Sequence, residues 1–348
     1  MLAWADGCGA VFDAGLSSGG TITVTGMVSP RSLVVNRAGC DFTGSGTILL
    51  GEEGMRINAP IQVGGGPANA MLAGSGGLLV NPGAGNTVTF NGANTYTGET
   101  LIASGTLALG SGGSISNTAS IVLSNGASFD VSAKTGGFVL QGWQELRGNG
   151  MVAGTVTAHG LVSPGASIGT LTFNSNLTLA GTTVMEVRRS GSMVTNDTIV
   201  CAGTLACGGI LSVTQSGPDA LADGDTFQLF NAATTVSAFT ATNLPPLENG
   251  FRWDTSGLGT GVVRVVYVGL GRPEFDSAAW SGTNLVLRGS NGVAGTPYYL
   301  LASTNAALPM TNWTPVLTDV FGPGGSFSNI LPPDPAEAVR FYRVRQAQ

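Results

Sequence analysis

The chain has 348 residues, of which 55 are glycine, and only 10% are charged, against usual shares of ~7% and ~25%. That excludes a charge-laced helical protein, while 43% apolar content excludes a disordered Gly/Ser linker, which stays unfolded for want of apolar surface. A net charge of −6, with Lys134 the single lysine among 14 basic residues, excludes a continuous phosphate-tracking stripe and so nucleic acid as a partner.

The opening stretch, MLAWADGCGA, lacks the basic and apolar regions of a secretory signal. Gly, Ser, Thr or Asn interrupts every apolar run short of the ~18–20 residues that span a bilayer, so no transmembrane segment is expected. From about residue 20 to 213 one phrase recurs, a short alternating run followed by a Gly, Asn or Ser turn. Gly20-Thr-Ile-Thr-Val-Thr-Gly26, Gly46-Thr-Ile-Leu-Leu-Gly51, Asn86-Thr-Val-Thr-Phe90, Gly105-Thr-Leu-Ala-Leu-Gly110, Ala119-Ser-Ile-Val-Leu123, Gly154-Thr-Val-Thr-Ala158, Gly169-Thr-Leu-Thr-Phe173 and Gly181-Thr-Thr-Val-Met-Glu-Val187 all carry it. Period-2 alternation of β-branched residues predicts strands with one buried face, and Gly or Asn supplies turns at positive φ.

Such strands could build an antiparallel sandwich or a parallel solenoid. The recurrence of the phrase at about 10 to 26 residues favours the solenoid, because self-similarity at such periods marks a repeat architecture. Uncharged Thr, Ser and Asn can stack as hydrogen-bonded ladders, whereas like charges ~4.8 Å apart repel. Coils of about 20–25 residues would place about nine coils in residues 1–213. Residues 214–268 then read as a segment capping the stack, whose open end would otherwise be an exposed sheet edge. From about 269 the composition shifts. Residues 271–348 hold 8 of the 16 prolines and 9 of the 24 aromatics, and short strands at Asn284–Leu287, Tyr298–Ala302 and Arg340–Val344 predict a small antiparallel sandwich over 269–348.

The segment Asn91-Gly-Ala-Asn-Thr-Tyr-Thr-Gly-Glu-Thr-Leu-Ile-Ala-Ser-Gly-Thr-Leu-Ala-Leu-Gly110 closely resembles the autotransporter-associated β-strand repeat. The resemblance implies a β-arc in which Asn94 and Gly98 make the corner and Tyr96 packs over it. Gly105 opens the next strand, and Leu101, Leu107 and Leu109 point into the coil. Glu99 stands where that family usually has glycine. Leu161-Val-Ser-Pro-Gly-Ala-Ser-Ile-Gly-Thr-Leu171 is similar to a passenger phrase built on Pro164, Gly165 and Gly169. As in that family, Glu186, Asp197-Thr-Ile-Val200, Gly203-Thr-Leu-Ala-Cys-Gly-Gly-Ile-Leu-Ser-Val213, Asp223-Gly-Asp225 and Trp253-Asp-Thr-Ser256 follow. The family implies a secreted, right-handed parallel β-solenoid (β-helix) at the outer surface of a Gram-negative-type bacterium. The final segment is similar to small C-terminal modules of secreted proteins in lineages rich in these repeats. The ending Arg343-Val-Arg-Gln-Ala-Gln348 departs from the aromatic-terminated membrane barrel of autotransporters.

Chemistry-bearing motifs are sparse. Gly165-Ala-Ser167-Ile-Gly169 matches the nucleophile elbow G-x-S-x-G, but the elbow needs a strand-turn-helix and a downstream histidine, and the single histidine, His159, lies upstream. The carboxylates are scattered. Glu52 and Glu53 read as a solvated turn, Asp219, Asp223 and Asp225 as a polar turn without calcium-loop order, and Asp130 with Lys134 as an exposed ion pair. Lys134 also lacks the glycines of a phosphate loop, Ser128 and Ala133 standing in their places. Cys8, Cys40, Cys201 and Cys207 lack metal-ligand spacing and read as buried small hydrophobes, with one disulfide as the alternative. The sequons at Asn176, Asn196 and Asn312 read as ladders and turns. No catalytic, cofactor or metal residues are expected. Trp280, Tyr298, Tyr299 and Trp313 are the candidates for glycan contact, with Tyr298 and Tyr299 on opposite faces of one strand. The expectation is a non-enzymatic, adhesin-like or stalk passenger, partnered by a surface polysaccharide or another cell-surface protein. A polysaccharide-binding protein using the C-terminal aromatics is the alternative, and a β-helix enzyme a more distant one.

Overall fold

The computed structural model describes residues 6–13, 20–65, 69–248, 250–268, 271–333 and 339–347. These are all-β, relieved by three single-turn 3-10 segments at Leu258–Thr260, Met310–Asn312 and Pro323–Gly325. No helix among them is long and apolar enough to cross a membrane. The chain divides into two compact units. One runs through Leu221, Asp225–Pro246 and Trp253–Arg264; the other comprises Ala222–Gly224, Leu247–Arg252 and the chain from Val265.

The first unit is a parallel β-solenoid. One sheet follows a path through Gly9–Phe12, Ser32–Val35, Met55–Ile57, Leu78–Val80, Thr100–Ile102, Ser120–Leu123, Glu145–Gly148, Leu161–Pro164, Thr182–Ser190, Ile210–Gln215 and Ala241–Asn243. Its inward column is Leu33, Met55, Leu78, Thr100, Ile121, Leu146, Val162, Thr183 and Leu211, each no more than 2% exposed. A second sheet stacks Phe42, Val63, Phe90 and Leu109, then Leu107, Phe129, Val152, Phe173 and Cys201. The third side is strand at Met27–Val28, Thr47–Leu50 and Met71–Gly74, and again at Phe138–Leu140, Val156–Ala158 and Leu177–Leu179. Residues stacked in neighbouring coils lie from 16 apart (Leu146 and Val162) to 28 apart (Thr183 and Leu211), and the eight steps from Leu33 to Leu211 average about 22, so a coil is on average the length the repeats predict. The parallel ladder continues past residue 213, because Phe230–Val236 pairs with Thr198–Cys207 and Ala241–Asn243 with Ile210–Gln215. Beyond it, Thr226–Gln228 pairs antiparallel with Val262–Tyr267, Phe227 opposite Val263.

The turns show why glycine is frequent. Gly148 adopts φ +113, and a Cβ there would lie 2.0 Å from the Leu123 carbonyl oxygen of the coil below. A Cβ on Gly98 would meet the Gly76 backbone at 2.5 Å. Polar ladders line the stack: Asn58 donates to Asn36 at 2.8 Å, and Ser104 to Asn81 at 2.6 Å.

On the third side, between Met71–Gly74 and Phe138–Leu140, Asn94 does the work of a strand. Its side-chain oxygen accepts from Leu72 N (2.9 Å) in the coil below, while its Nδ2 donates to Gly92 O (3.0 Å) and to Ser114 O (3.2 Å) in the coil above. The buried Tyr96 hydroxyl bonds Thr100 Oγ1 at 2.7 Å, and Thr100 bonds Thr118 at 3.2 Å. This network corrects one expectation. Thr100 and Ile102 point inward, so the alternation turns Leu101 outward, where it stacks between Leu79 and Val122. Leu107 and Leu109 do point inward. The residue at 99 needs no glycine: Glu99 O accepts from Leu78 N, and its carboxylate pairs with Arg147 at 3.0 Å.

The second unit contains two three-stranded antiparallel sheets, Glu274–Ser281 with Asn284–Ser290 and Phe327–Leu331, and Thr314–Val320 with Pro297–Ser303 and Phe341–Gln346. Leu287 and Leu331 of the first meet Leu300 of the second in one core cluster; Tyr298, Phe321 and Phe327 form another. This is the expected small sandwich.

Leu107→Ala should therefore cost about 2–5 kcal/mol by opening a cavity in the stack, while Leu101→Ala costs about 1 kcal/mol or less. Urea unfolding followed by circular dichroism compares them; equal losses would place Leu101 inside the coil.

Candidate functional site

The four aromatic candidates do not share a face. Tyr298 and Tyr299 alternate on Pro297–Ser303. The first is fully buried, its ring stacked on Phe321 at 4.5 Å, with its hydroxyl donating to Asn329 at 2.8 Å. Burial raises its phenol above the ordinary value. Tyr299 faces outward, half-buried beneath the Arg345 guanidinium, 5.1 Å from the ring centroid. Trp313 is 5% exposed, donates Nε1–H to Leu308 O at 3.0 Å and carries Arg343 over its ring at 4.8 Å. It is a packing residue, so it is corrected as a glycan contact. Truncating it would remove core rather than a binding platform. Trp280 alone is open, at 65% exposure, on Glu274–Ser281 of the other sheet. Single-sequence alternation separates the two tyrosines but has no signal for which outward ring a later strand will cover.

The sandwich also carries a polar cleft of about 490 Å3, lined by Asp276, Arg288, Asp319, Ser326 and Ser328 over Tyr298 and Phe327. A bulge between Phe275 and Ser277 displaces Asp276 from the regular alternation, and Ser290 donates to its Oδ1 at 2.8 Å. Asp319 accepts from Val320 N at 2.8 Å. The rings on the floor are buried, so the cleft offers hydrogen bonds and charges of both signs but no stacking surface. Sequence alone carries no signal for this cleft, because its acids lie 43 residues apart in the chain on strands of different sheets.

Elsewhere the charged candidates are dispersed. Glu53 pairs with Arg31 at 2.7 Å on the surface. Of the aspartate trio, Asp219 caps Gly191 N, Asp223 caps Tyr267 N and Asp225 pairs with Arg189. They do not converge, and among the described residues no group of three or more His, Cys, Asp or Glu is placed to hold a metal. The expected Asp130–Lys134 pair does not form. Asp130 caps Ser132 N, and Lys134 reaches back one coil to the carbonyls of Ser111 (3.0 Å) and Gly113 (2.7 Å). Ser167 is exposed in the turn after Leu161–Pro164, where Gly165 takes φ +82; His159 is exposed after Val156–Ala158. No hydrogen bond joins them among the described residues. Asn176 caps Thr204 N, and Asn196 donates to Gln228 O. The four cysteines are free, with Cys8 exposed and the others buried. Burial raises the Cys40 and Cys201 thiols and pushes Cys207 up to about 11, which makes the three poor nucleophiles at neutral pH.

The passenger-like phrase contains one buried acid, Asp197, 1% exposed. It accepts from Gly169 N (2.8 Å) and Glu186 N (2.7 Å), tying the Gly165–Gly169 turn to the next coil. Burial pushes its carboxyl up to about 6; the two N–H groups oppose this and the Glu186 carboxylate adds to it. No family model, no curated protein and no solved structure matches this chain.

Because the folded Asp197 keeps its proton to about pH 6 and an unfolded aspartate only to about 4, the native state binds the extra proton between them. Its contribution is full below pH ~4 and is lost as pH rises through ~6, on the order of 3 kcal/mol in all. Urea midpoints of the wild type and Asp197→Asn should show the wild type losing ground to the variant from pH 4 to 7; a pH-independent gap would assign the proton elsewhere.

Proposed function

We propose that this chain is a non-enzymatic structural protein, a rigid β-solenoid spacer of the autotransporter-passenger type displayed at the outer surface of a Gram-negative-type bacterium. The observation that carries this reading is the unbroken ladder from Gly9–Phe12 to Ala241–Asn243, with a buried column from Leu33 to Leu211 beneath it. At ~4.8 Å per coil its ten steps extend about 48 Å. A stack of that kind sets a length by counting coils, and a core shared by every coil resists bending. The surface placement rests on the repeat and passenger phrases, which resemble sequences of secreted proteins. Seven carboxylates of the solenoid that are engaged in its own bonds also support a scaffold over a β-helix hydrolase. Glu53, Glu99, Glu145 and Asp225 are in ion pairs, and Asp130, Asp197 and Asp219 cap backbone N–H groups, whereas glycoside hydrolysis needs two facing one bond.

Antibodies raised against the folded solenoid should label intact cells of the source organism, and the purified chain should release no reducing ends from insoluble polysaccharides. Labelling only after permeabilisation would overturn the surface placement. Product release that scales with protein would overturn the non-enzymatic reading.

A further inference from the structure

The outward face of the sandwich sheet Thr314–Val320, Pro297–Ser303, Phe341–Gln346 bears an arrangement that a spacer does not need. Arg343 and Arg345 alternate along the edge strand, so their side chains leave the same face about 6.8 Å apart. Each guanidinium lies over an aromatic ring, Trp313 at 4.8 Å and Tyr299 at 5.1 Å. Directly across the strands stand Leu301 and Tyr299, and beyond Tyr299 stands Thr318, so the immediate neighbours are uncharged. Neither arginine has an ion-pair partner among the described residues, and both are exposed. Phe341, 41% exposed, continues the row.

In a chain of net charge −6, two uncompensated cations held side by side on rings stand outside the two inner clusters, Leu287, Leu300 and Leu331 and Tyr298, Phe321 and Phe327, although Arg343 also covers Trp313. Stacking on an aromatic ring holds a guanidinium in place while leaving its N–H edges free, so less freedom is lost when it grips an anion. We propose that this face binds an acidic polysaccharide, with Arg343 and Arg345 gripping successive carboxylates and the open Phe341 flanking a sugar ring. Carboxylate fits because Arg–carboxylate contacts are frequently bidentate. A polymer with about one charge per sugar also matches the spacing of the two cations. Duplex nucleic acid carries a charge every ~1.7 Å and is tracked by a longer row of cations than these two. The proposal concerns the sandwich alone and stands whether or not the solenoid acts as a spacer.

The test uses the full chain in affinity electrophoresis through gels containing polygalacturonate, alginate, neutral dextran or duplex DNA, at 20 and 300 mM NaCl. Retardation is expected in at least one of the acidic glycans at 20 mM, weakened at 300 mM, and absent with dextran and DNA. Arg343→Gln/Arg345→Gln should weaken it about tenfold, whereas Arg56→Gln/Arg188→Gln, the same charge change at exposed solenoid positions, should leave it within about twofold. Thermal melts confirm that both double variants fold. Retardation by neither acidic glycan, equal retardation by DNA, or equal loss in the two double variants would overturn the proposal.

Discussion

The constraint on which the solenoid depends is vertical: in a parallel stack every residue lies about 4.8 Å above its counterpart in the previous coil, so whatever occupies a position is repeated as its own neighbour. Apolar side chains satisfy that rule inside, and the column from Leu33 to Leu211, broken only by Thr100 and Thr183, is the result. On the outside, hydroxyls and amides can bond their neighbours, as Asn58 bonds Asn36 and Ser104 bonds Asn81, while a column of like charges could not. The low charge content follows from this geometry. So does the glycine content, because a corner that brings the Gly98 backbone against Gly76 has no room for a side chain.

Polar groups enter the stack where the regular ladder lapses. Between the two stretches of third-side strand, Asn94 supplies from its side chain the donor and acceptor that neighbouring backbone would have supplied, and it bonds the coils on either side. Gln144 does the same farther on, donating from a buried Nε2 to Ile115 O and Thr118 O. An unpaired buried amide or hydroxyl would be costly, which is why Tyr96, Thr100 and Thr118 come as a bonded set. Asp197 is the ionisable version of this device, since one carboxylate satisfies two backbone donors on separate segments.

Much of this was legible because each level of the sequence repeats the same instruction. Alternation located strands such as Thr87–Phe90 and Thr170–Phe173, and the spacing of phrases set the coil length. What escaped depends on contacts between distant residues. The inward side of Thr100–Ile102 is decided by the Tyr96 hydroxyl, which makes Thr100 an inside residue although Leu101 is the more apolar. Lys134 forsakes the nearby Asp130 for carbonyls one coil away, a partner that exists only once coils are stacked. The cover over Trp313 comes from Arg343, thirty residues later. The ladder past residue 213 was hidden because Phe230–Val236 and Ala241–Asn243 lack the Gly-Thr phrase that marks the earlier coils.

The two folds divide the chemistry that each can carry. Stacking makes a solenoid face uniform along its length, which suits a structure defined by extent and is poorly suited to concentrating charge of one sign. In the antiparallel sandwich, unlike strands lie side by side. The strand bearing Arg343 and Arg345 therefore runs beside Tyr299 and Leu301 rather than beside a copy of itself, and its cations face aromatic rings instead of one another. The polar cleft has the same origin, with Asp276 and Asp319 carried on separate sheets and Arg288 beside them. The cations that lie over aromatic rings thus stand in the last quarter of the chain, where proline and aromatic content rises.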